Sequence, residues 1–172
     1  MSSFTAIRWF GGISLAAALL FGPGIAWAQN PHFVSADDSI NSDGALVASW
    51  KEAGLGNNQL ITYELSADAS ATCNCVTKSG QCPSAANKQV ITEPVSAMGT
   101  FSSGKNGQIS QSLTAGPPTC GASSPPTCGG GQTFKLVSVT YANIELEDQT
   151  NQIFATTLQS PLSRTFFTCP NQ

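Results

Sequence analysis

The most regular feature of the chain is an alternation of apolar and polar residues that runs from Ile61 to Cys75. Odd positions hold Ile, Tyr, Leu, Ala or Cys, whereas even positions hold Thr, Glu, Ser, Asp or Asn. A period of two places every second side chain on one face of a β-strand, whereas a helix would distribute them around its circumference. The pattern therefore predicts one long strand over residues 61–75, with the odd positions facing the interior.

The inward positions 67, 69 and 71 of this strand are all alanine. Small side chains in succession predict that another element comes close to the strand, either the opposing sheet or a large aromatic side chain. A bulge or a bend at this point would explain them equally well.

Seven shorter segments show weaker alternation, and turn residues separate them. Asn41-Ser42-Asp43-Gly44 and Asn106-Gly107 favour hairpin turns, and the second suits the two positive φ angles of a type I′ turn. The apolar register changes phase between Leu136 and Val137, which predicts a bulge. The predicted strands are residues 33–36, 46–51, 95–102, 108–115, 134–146, 153–158 and 164–169.

Short strands separated by turns, with no convincing helical period, predict an all-β fold. We expect an immunoglobulin-like two-sheet sandwich of seven or eight strands, because small inward residues on a long strand suit the packing of one sheet on another. A β-barrel is the alternative, since strand patterns do not show whether a sheet closes.

The first 28 residues have the pattern of a secretory signal peptide. An apolar run from Ile13 to Phe21 precedes Gly22-Pro23-Gly24 and a small-residue cleavage motif, Ala26-Trp27-Ala28. The run is shorter than the ~20 residues of a spanning helix, which argues against a retained membrane anchor, and no nearby cysteine could carry a lipid. We therefore expect residues 1–28 to be removed and residues 29–172 to form a single secreted domain, extracellular or periplasmic.

Loss of the signal peptide removes one positive charge, Arg8, so six Lys and Arg residues face ten Asp and Glu residues, a formal net charge of −4. Nucleic acids and anionic membranes require a basic patch, and the sequence shows none. We therefore expect a protein or a surface polymer as the partner, and a domain that is not embedded in a membrane after cleavage.

All six cysteines follow the cleavage motif, so they reach an oxidising compartment and are expected to form disulfides. Their spacing does not match the Cys-x2-4-Cys pairs of zinc sites, so we expect no metal there. Neighbours at i and i+2 on a strand are poorly placed to bond to each other, which disfavours a Cys73–Cys75 bridge and leaves the other pairings open. The six are Cys73, Cys75, Cys82, Cys120, Cys128 and Cys169.

The phrase Pro-Pro-Thr-Cys-Gly occurs twice, at residues 117–121 and 125–129. Its prolines, and the glycines that follow the second copy, are typical of a loop. We interpret the duplication as a local insertion without a role.

The sequence contains no nucleophile elbow, metalloprotease motif, phosphate loop or dinucleotide fingerprint, so we expect no catalytic residues and no cofactor. The single histidine, His32, lies at the start of the domain. A glycosidase needs only two carboxyl groups, so a carboxylate-dependent hydrolase remains an alternative. Glu145 and Glu147 alternate on one strand face, which is the ordinary pattern of a solvated face. The other carboxyl candidates are Asp148 beside them and the scattered Glu52, Glu64 and Glu93.

Two acidic turns are weak candidates for calcium because they offer oxygen ligands. The same residues are common turn formers, which is the simpler interpretation. A sugar platform would need Trp50, Tyr63 and Tyr141, but alternation places Trp50 and Tyr63 in the core. The calcium candidates are Asp38, Asn41, Asp43, Asp148 and Asn151.

Four phrases, WKEAGLGN at 50–57, AANK at 85–88, KNGQ at 105–108 and VTY at 139–141, together resemble a family of small exported bacterial proteins of unassigned function. The resemblance spans roughly residues 31–158. It implies export and a β-rich fold, and it implies no reaction. The extra cysteines and the duplicated phrase depart from the family pattern.

The sequence thus predicts a secreted, non-catalytic β-sandwich module with a structural or interaction role at or outside the cell surface. One alternative is a glycan- or calcium-dependent binding domain. The other is the carboxylate-dependent hydrolase.

Overall fold

The computed structural model describes residues 30–83, 87–122 and 124–169, so the predicted signal peptide, residues 1–28, lies outside the described residues. The described residues form eight strands and no α-helix. The strands are β1 (His32–Ile40), β2 (Leu46–Ala53), β3 (Leu60–Thr77), β4 (Gln89–Ser102), β5 (Gln108–Ala115), β6 (Gln132–Asp148), β7 (Ile153–Phe154) and β8 (Leu162–Thr165).

Two antiparallel sheets pack face to face, which confirms the prediction of an all-β two-sheet sandwich. The three-stranded sheet has the order β1-β2-β5. The five-stranded sheet has the order β4-β3-β6, and β7 and β8 pair with different parts of β6. The chain crosses from one sheet to the other after β2, after β4 and again after β5.

The long predicted strand is β3, which has 18 residues and is slightly longer at both ends than expected. Its odd positions from Ile61 to Cys75 are buried, as the alternation predicts. Both explanations of the inward alanines hold in part. Tyr141 of β6 lies directly opposite Ala69, and a register shift in β6 faces Ala67.

The predicted bulge in β6 is confirmed. Thr72 pairs with Ser138 and Cys73 pairs with Leu136, which leaves Val137 as the extra residue. An extra residue reverses the side-chain alternation, and this explains the phase change in the sequence.

Several details of the strand prediction are wrong, and β1 in particular has 9 residues, more than twice the length predicted. β4 begins at Gln89 instead of residue 95, because an edge strand accommodates Pro94, whose missing N–H would interrupt a central strand. β7 and β8 are much shorter than the predicted segments. The turn before β5 is not type I′, since the positive φ angles are 60° at Gly104 and 63° at Gly107, with none at Asn106.

The two sheets differ in length, and this difference explains the first two disulfides. β2 and β5 have 8 residues each, whereas β3 and β6 have 18 and 17. The three-stranded sheet therefore leaves part of the inner face of β3 uncovered. Cys73 and Cys75 point from that part, and they bond to Cys120 and Cys128. The connection between β5 and β6, residues 116–131, thus extends the cover over the inner face.

The third disulfide belongs to the opposite face of the same end of the sheet. Val76 follows Cys75 and so faces the other side of β3, where it packs with Val137 and the Cys82–Cys169 bridge. The C-terminal segment reaches this position from β8, and Phe167 packs against the same cluster. Disulfides therefore attach one covering segment to each face of the five-stranded sheet, at the end that extends beyond the three-stranded sheet.

The prediction that Cys73 and Cys75 take separate partners is confirmed, and the interpretation of the repeat is wrong. Each copy of Pro-Pro-Thr-Cys-Gly supplies one of the two partner cysteines. The duplication provides two sulphurs for two inward positions on one strand.

Helices long and apolar enough to cross a bilayer are absent from the described segments of the chain.

Candidate functional site

A buried carboxyl group occupies the last inward position of β2. Alternation places Leu46, Ala48, Trp50 and Glu52 on the inner face, and all four are buried. Glu52 is 0% exposed. Its neighbours across the sheet are Phe33 of β1 and Ile109 of β5, so hydrocarbon flanks the carboxyl group on both sides.

A second buried carboxyl group, Asp148, ends β6 on the facing sheet. Asp148 is 0% exposed and lies directly opposite Tyr63 of β3. Its Oδ1 accepts hydrogen bonds from the backbone N of Thr150 at 2.8 Å and of Asn151 at 2.9 Å, and its Oδ2 accepts one from Asn151 Nδ2 at 2.6 Å. Asp148 therefore closes the turn after β6 and uses both oxygens to do so.

Tyr63 and Trp50 complete this cluster, which we call the carboxyl pair site (Trp50, Glu52, Tyr63 and Asp148). The rings of Trp50 and Tyr63 have centroids 4.6 Å apart. Both carboxyl oxygens of Glu52, the Tyr63 hydroxyl and Trp50 Nε1 are buried without a hydrogen-bond partner among the described residues. Unpartnered buried polar atoms are uncommon and costly, so this site is exceptional within the core.

The surroundings of Glu52 favour its neutral form. Burial raises its pKa from an ordinary 4.5 to about 7, and the Asp148 carboxylate adds to the rise. The Tyr63 hydroxyl, which approaches Glu52 without reaching hydrogen-bond geometry, partly offsets it. Burial also raises the pKa of Tyr63, so its hydroxyl stays protonated. The site can therefore bind and release one proton near neutral pH.

A second acidic feature is an open groove of about 460 Å³ on the outer face of the five-stranded sheet. Glu64, Asp68 and Glu145 line it, and no lysine or arginine is among its lining residues. The register shift in β6 that faces Ala67 shapes the groove, because Asn143 at this shift has a φ of 51° and its Nδ2 donates to Asp68 Oδ2 at 2.7 Å. The other lining residues are Ser66, Ala67, Pro94, Val95 and Ser96.

Of the carboxyl groups singled out in the sequence, Glu64 and Glu145 meet in this acidic groove. Glu147 lies beside it, and Gln149 Nε2 donates to Glu64 Oε2 at 3.0 Å and to Glu147 Oε2 at 2.6 Å. Glu93 is exposed on β4 and does not line the groove. Glu52 and Asp148 lie between the sheets instead.

The two acidic turns that supply the calcium candidates do not come together. Asn41 and Asp43 lie in the turn between β1 and β2, whereas Asp148 and Asn151 lie at the opposite end of the sandwich, near Glu52. Asn41 Oδ1 accepts hydrogen bonds from the backbone N of Asp43 and of Ala45, both at 2.9 Å. Asp38 Oδ1 accepts one from Gln159 N at 3.0 Å. Within the described residues, no group of three or more His, Cys, Asp or Glu side chains could hold a metal ion.

The aromatic residues weighed as a sugar platform are in the core. Trp50 and Tyr63 are buried, as the alternation predicts. Tyr141 is also buried, and its hydroxyl donates to the Gly44 carbonyl at 2.6 Å. His32 lies on the exposed side of β1, with Nδ1 2.9 Å from the Asn30 carbonyl.

Sequence reasoning missed the carboxyl pair site, although the signal was present. Inward positions lie two residues apart on a strand. The inward position after Trp50 on β2 is Glu52, and the second inward position after Ile144 on β6 is Asp148. An acidic residue at a core position of each facing strand would have pointed to a shared buried site. No family model matches the chain, and no curated protein matches it either.

Proposed function

We propose that this protein is an exported, non-catalytic β-sandwich module that acts as a structural or interaction protein at or outside the cell surface. The observation that carries the proposal is the arrangement of the three disulfides, which fasten covering segments to both faces of one sheet. Disulfides persist in oxidising compartments, in agreement with a signal peptide over residues 1–28. The resemblance to small exported bacterial proteins supports the same location.

We assign the sandwich to the immunoglobulin-like class. With strands β1 to β6 lettered A, B, C, C′, E and F, the sheets have the orders A-B-E and C′-C-F, and β7 and β8 occupy the edge position of strand G. Modules of this class commonly serve as rigid extracellular units, which supports an interaction role by analogy of fold.

Two measurements on residues 29–172 test this proposal. The mass of the protein recovered from its native culture is expected to correspond to a chain that begins at Gln29 and has no free thiol. A broad panel of hydrolase substrates is expected to give no turnover. Turnover that disappears when one carboxyl residue is replaced would contradict the non-catalytic role.

The acidic groove favours one second candidate, a glycan-binding function. Carboxylate and amide groups form strong hydrogen bonds with sugar hydroxyls. Because three carboxylates and no basic side chain line the groove, it would repel an anionic polymer. The ligand that fits this chemistry is a neutral polysaccharide. Pro94 and Val95 supply the apolar part of the lining.

Replacing Glu64 and Glu145 together by glutamine is expected to weaken binding of a neutral polysaccharide by more than tenfold. Each replacement turns a charge-assisted hydrogen bond into a weaker neutral one, at a cost of about 1 kcal/mol. Affinity electrophoresis against soluble glucan, mannan and xylan measures the loss.

Glu93→Gln is the matched control, because it makes the same chemical change outside the groove. Equal binding by the control and the double variant would contradict the glycan-binding candidate, as would a failure of all three polysaccharides to bind. Release of reducing sugar by the native protein, abolished in the double variant, would support the hydrolase alternative instead.

A further inference from the structure

The carboxyl pair site joins the two sheets at one end of the sandwich. Glu52 belongs to β2 of the three-stranded sheet, whereas Asp148 and Tyr63 belong to β6 and β3 of the five-stranded sheet. The two carboxyl groups therefore face each other across the sandwich, and any repulsion between them acts to separate the sheets.

Among the described residues, no positive charge compensates this pair. The residues that surround Glu52 are Phe33 from β1, Ile109 from β5 and Trp50 from its own strand, and none of them carries a charge. From β4, Phe101 packs on the ring of Trp50 with centroids 5.8 Å apart. The titratable groups that face Glu52 are thus Asp148 and Tyr63 alone among the described residues.

The loops next to the site close this end of the sandwich through a few backbone hydrogen bonds. Leu55 N donates to the Gly107 carbonyl at 3.1 Å, and Asn58 N donates to the Gly104 carbonyl at 2.6 Å. Ser103 N donates to the Gln59 carbonyl at 2.9 Å. Residues 54–59 begin two positions after Glu52, so this loop is the part of the chain closest in sequence to the buried carboxyl group.

We propose that Glu52 and Asp148 form a proton-controlled latch between the two sheets. With one proton on Glu52, the pair places a single negative charge between the sheets, and this end stays closed. Loss of that proton leaves two buried carboxylates opposed without a cation, and the loops at residues 54–59 and 103–107 then open more often. The protein therefore holds this end most firmly in mildly acidic surroundings and loosens it above neutral pH.

The direction of the pH dependence follows from the free energy of proton binding. The folded protein binds the Glu52 proton more tightly than the unfolded chain does, because the pKa of Glu52 rises from 4.5 to about 7 on folding. The stabilisation is complete below pH 4.5 and is lost as the pH rises through about 7. Between pH 5.5 and 8, we expect the equilibrium constant for unfolding to rise about 30-fold.

Glu52→Gln tests the latch, because glutamine keeps the shape and the hydrogen-bond donor of the protonated carboxyl group and does not titrate. Urea unfolding is followed at pH 5.5 and pH 8 together with hydrogen exchange of Leu55, Asn58 and Ser103, corrected for the intrinsic exchange rate. The native protein is expected to lose stability and protection at pH 8, and the variant to be nearly constant. Glu93→Gln, which removes an exposed carboxyl group on β4, is expected to behave like the native protein.

Parallel pH dependence in the native protein and in Glu52→Gln would overturn the proposal. A second measurement, on the native protein, tests the proposal even if Glu52→Gln does not fold. Carbon-13 NMR of the native protein labelled at the glutamate carboxyl follows the titration of Glu52 directly. A midpoint near neutral pH agrees with the latch, and a midpoint in the ordinary glutamate range overturns it.

Discussion

Removing both disulfides that anchor the connection between β5 and β6 is expected to cost about 7 kcal/mol, more than twice the cost of removing either one. The bridges Cys73–Cys120 and Cys75–Cys128 close loops with sequence separations of 47 and 53. When one bridge is closed, the other adds a small ring of about ten residues, worth about 3 kcal/mol. When both are absent, the whole connection is free.

Alanine replacements measure this coupling, because alanine leaves no buried hydroxyl group at the inward positions of β3. Cys75→Ala with Cys128→Ala, Cys73→Ala with Cys120→Ala, and all four together are compared by urea unfolding. Sulfate is added to each sample so that the quadruple variant folds, since salts of this kind strengthen burial. Urea midpoints and slopes then give the free energy of unfolding for each.

The third bridge provides the control. Cys82–Cys169 joins different segments, so its removal is expected to add to the removal of either neighbouring bridge within about 0.5 kcal/mol. A quadruple variant that loses only the sum of the two single losses would show that the two neighbouring bridges act independently. The connection would then not be restrained as one unit.

The sequence predicts the inner face of each long strand well because burial on a two-layer sandwich depends on the alternation alone. Positions 61 to 75 of β3 show this directly, since every odd residue is buried. The same rule places Cys73 and Cys75 on one face and makes a bond between them geometrically poor. Even the bulge at Val137 is visible, because an extra residue shifts the phase of the pattern.

The pairing of the cysteines depends on long-range geometry that the pattern does not contain. The need for partners at Cys73 and Cys75 arises because the five-stranded sheet is longer than the three-stranded sheet. Pro94 interrupts the alternation of β4, so the sequence does not show the full length of that strand. The sequence alone predicts that this strand begins at residue 95, whereas its pairing with β3 extends back to Gln89. Without the full length of β3 and β4, the need for a covering segment cannot be deduced.

For the candidate sites, too, local alternation predicts some features and long-range strand pairing decides the others. Alternation around Glu145 and Glu147 predicts a solvated face, and the groove is found on that face. The grouping of Glu64 with Glu145 depends on the strand register, which sets β3 against β6 and is not encoded locally. Glu52 was named as a scattered carboxyl group, but its burial beside Asp148 was missed because a charged residue at a core position conflicts with the usual composition of a buried face.

Trp50→Ala is expected to lower the free energy of unfolding by about 3–5 kcal/mol, the loss typical of a large aromatic side chain removed from a core. Trp50 is 3% exposed and packs on the rings of Tyr63 and Phe101. Trp50→Phe retains a ring at the same position and is expected to lose less than half as much. Urea unfolding followed by circular dichroism measures both.

The same replacement is expected to change the titration of Glu52, and this separates a local effect from a general loss of stability. Trp50 and Glu52 are neighbours on the inner face of β2, so a cavity at Trp50 admits water to the carboxyl group. Because burial is the largest cause of the raised pKa of Glu52, that pKa is expected to fall toward 4.5 in Trp50→Ala and to stay near 7 in Trp50→Phe. An unchanged titration in Trp50→Ala would mean that Asp148, and not burial beside the Trp50 ring, controls the proton on Glu52.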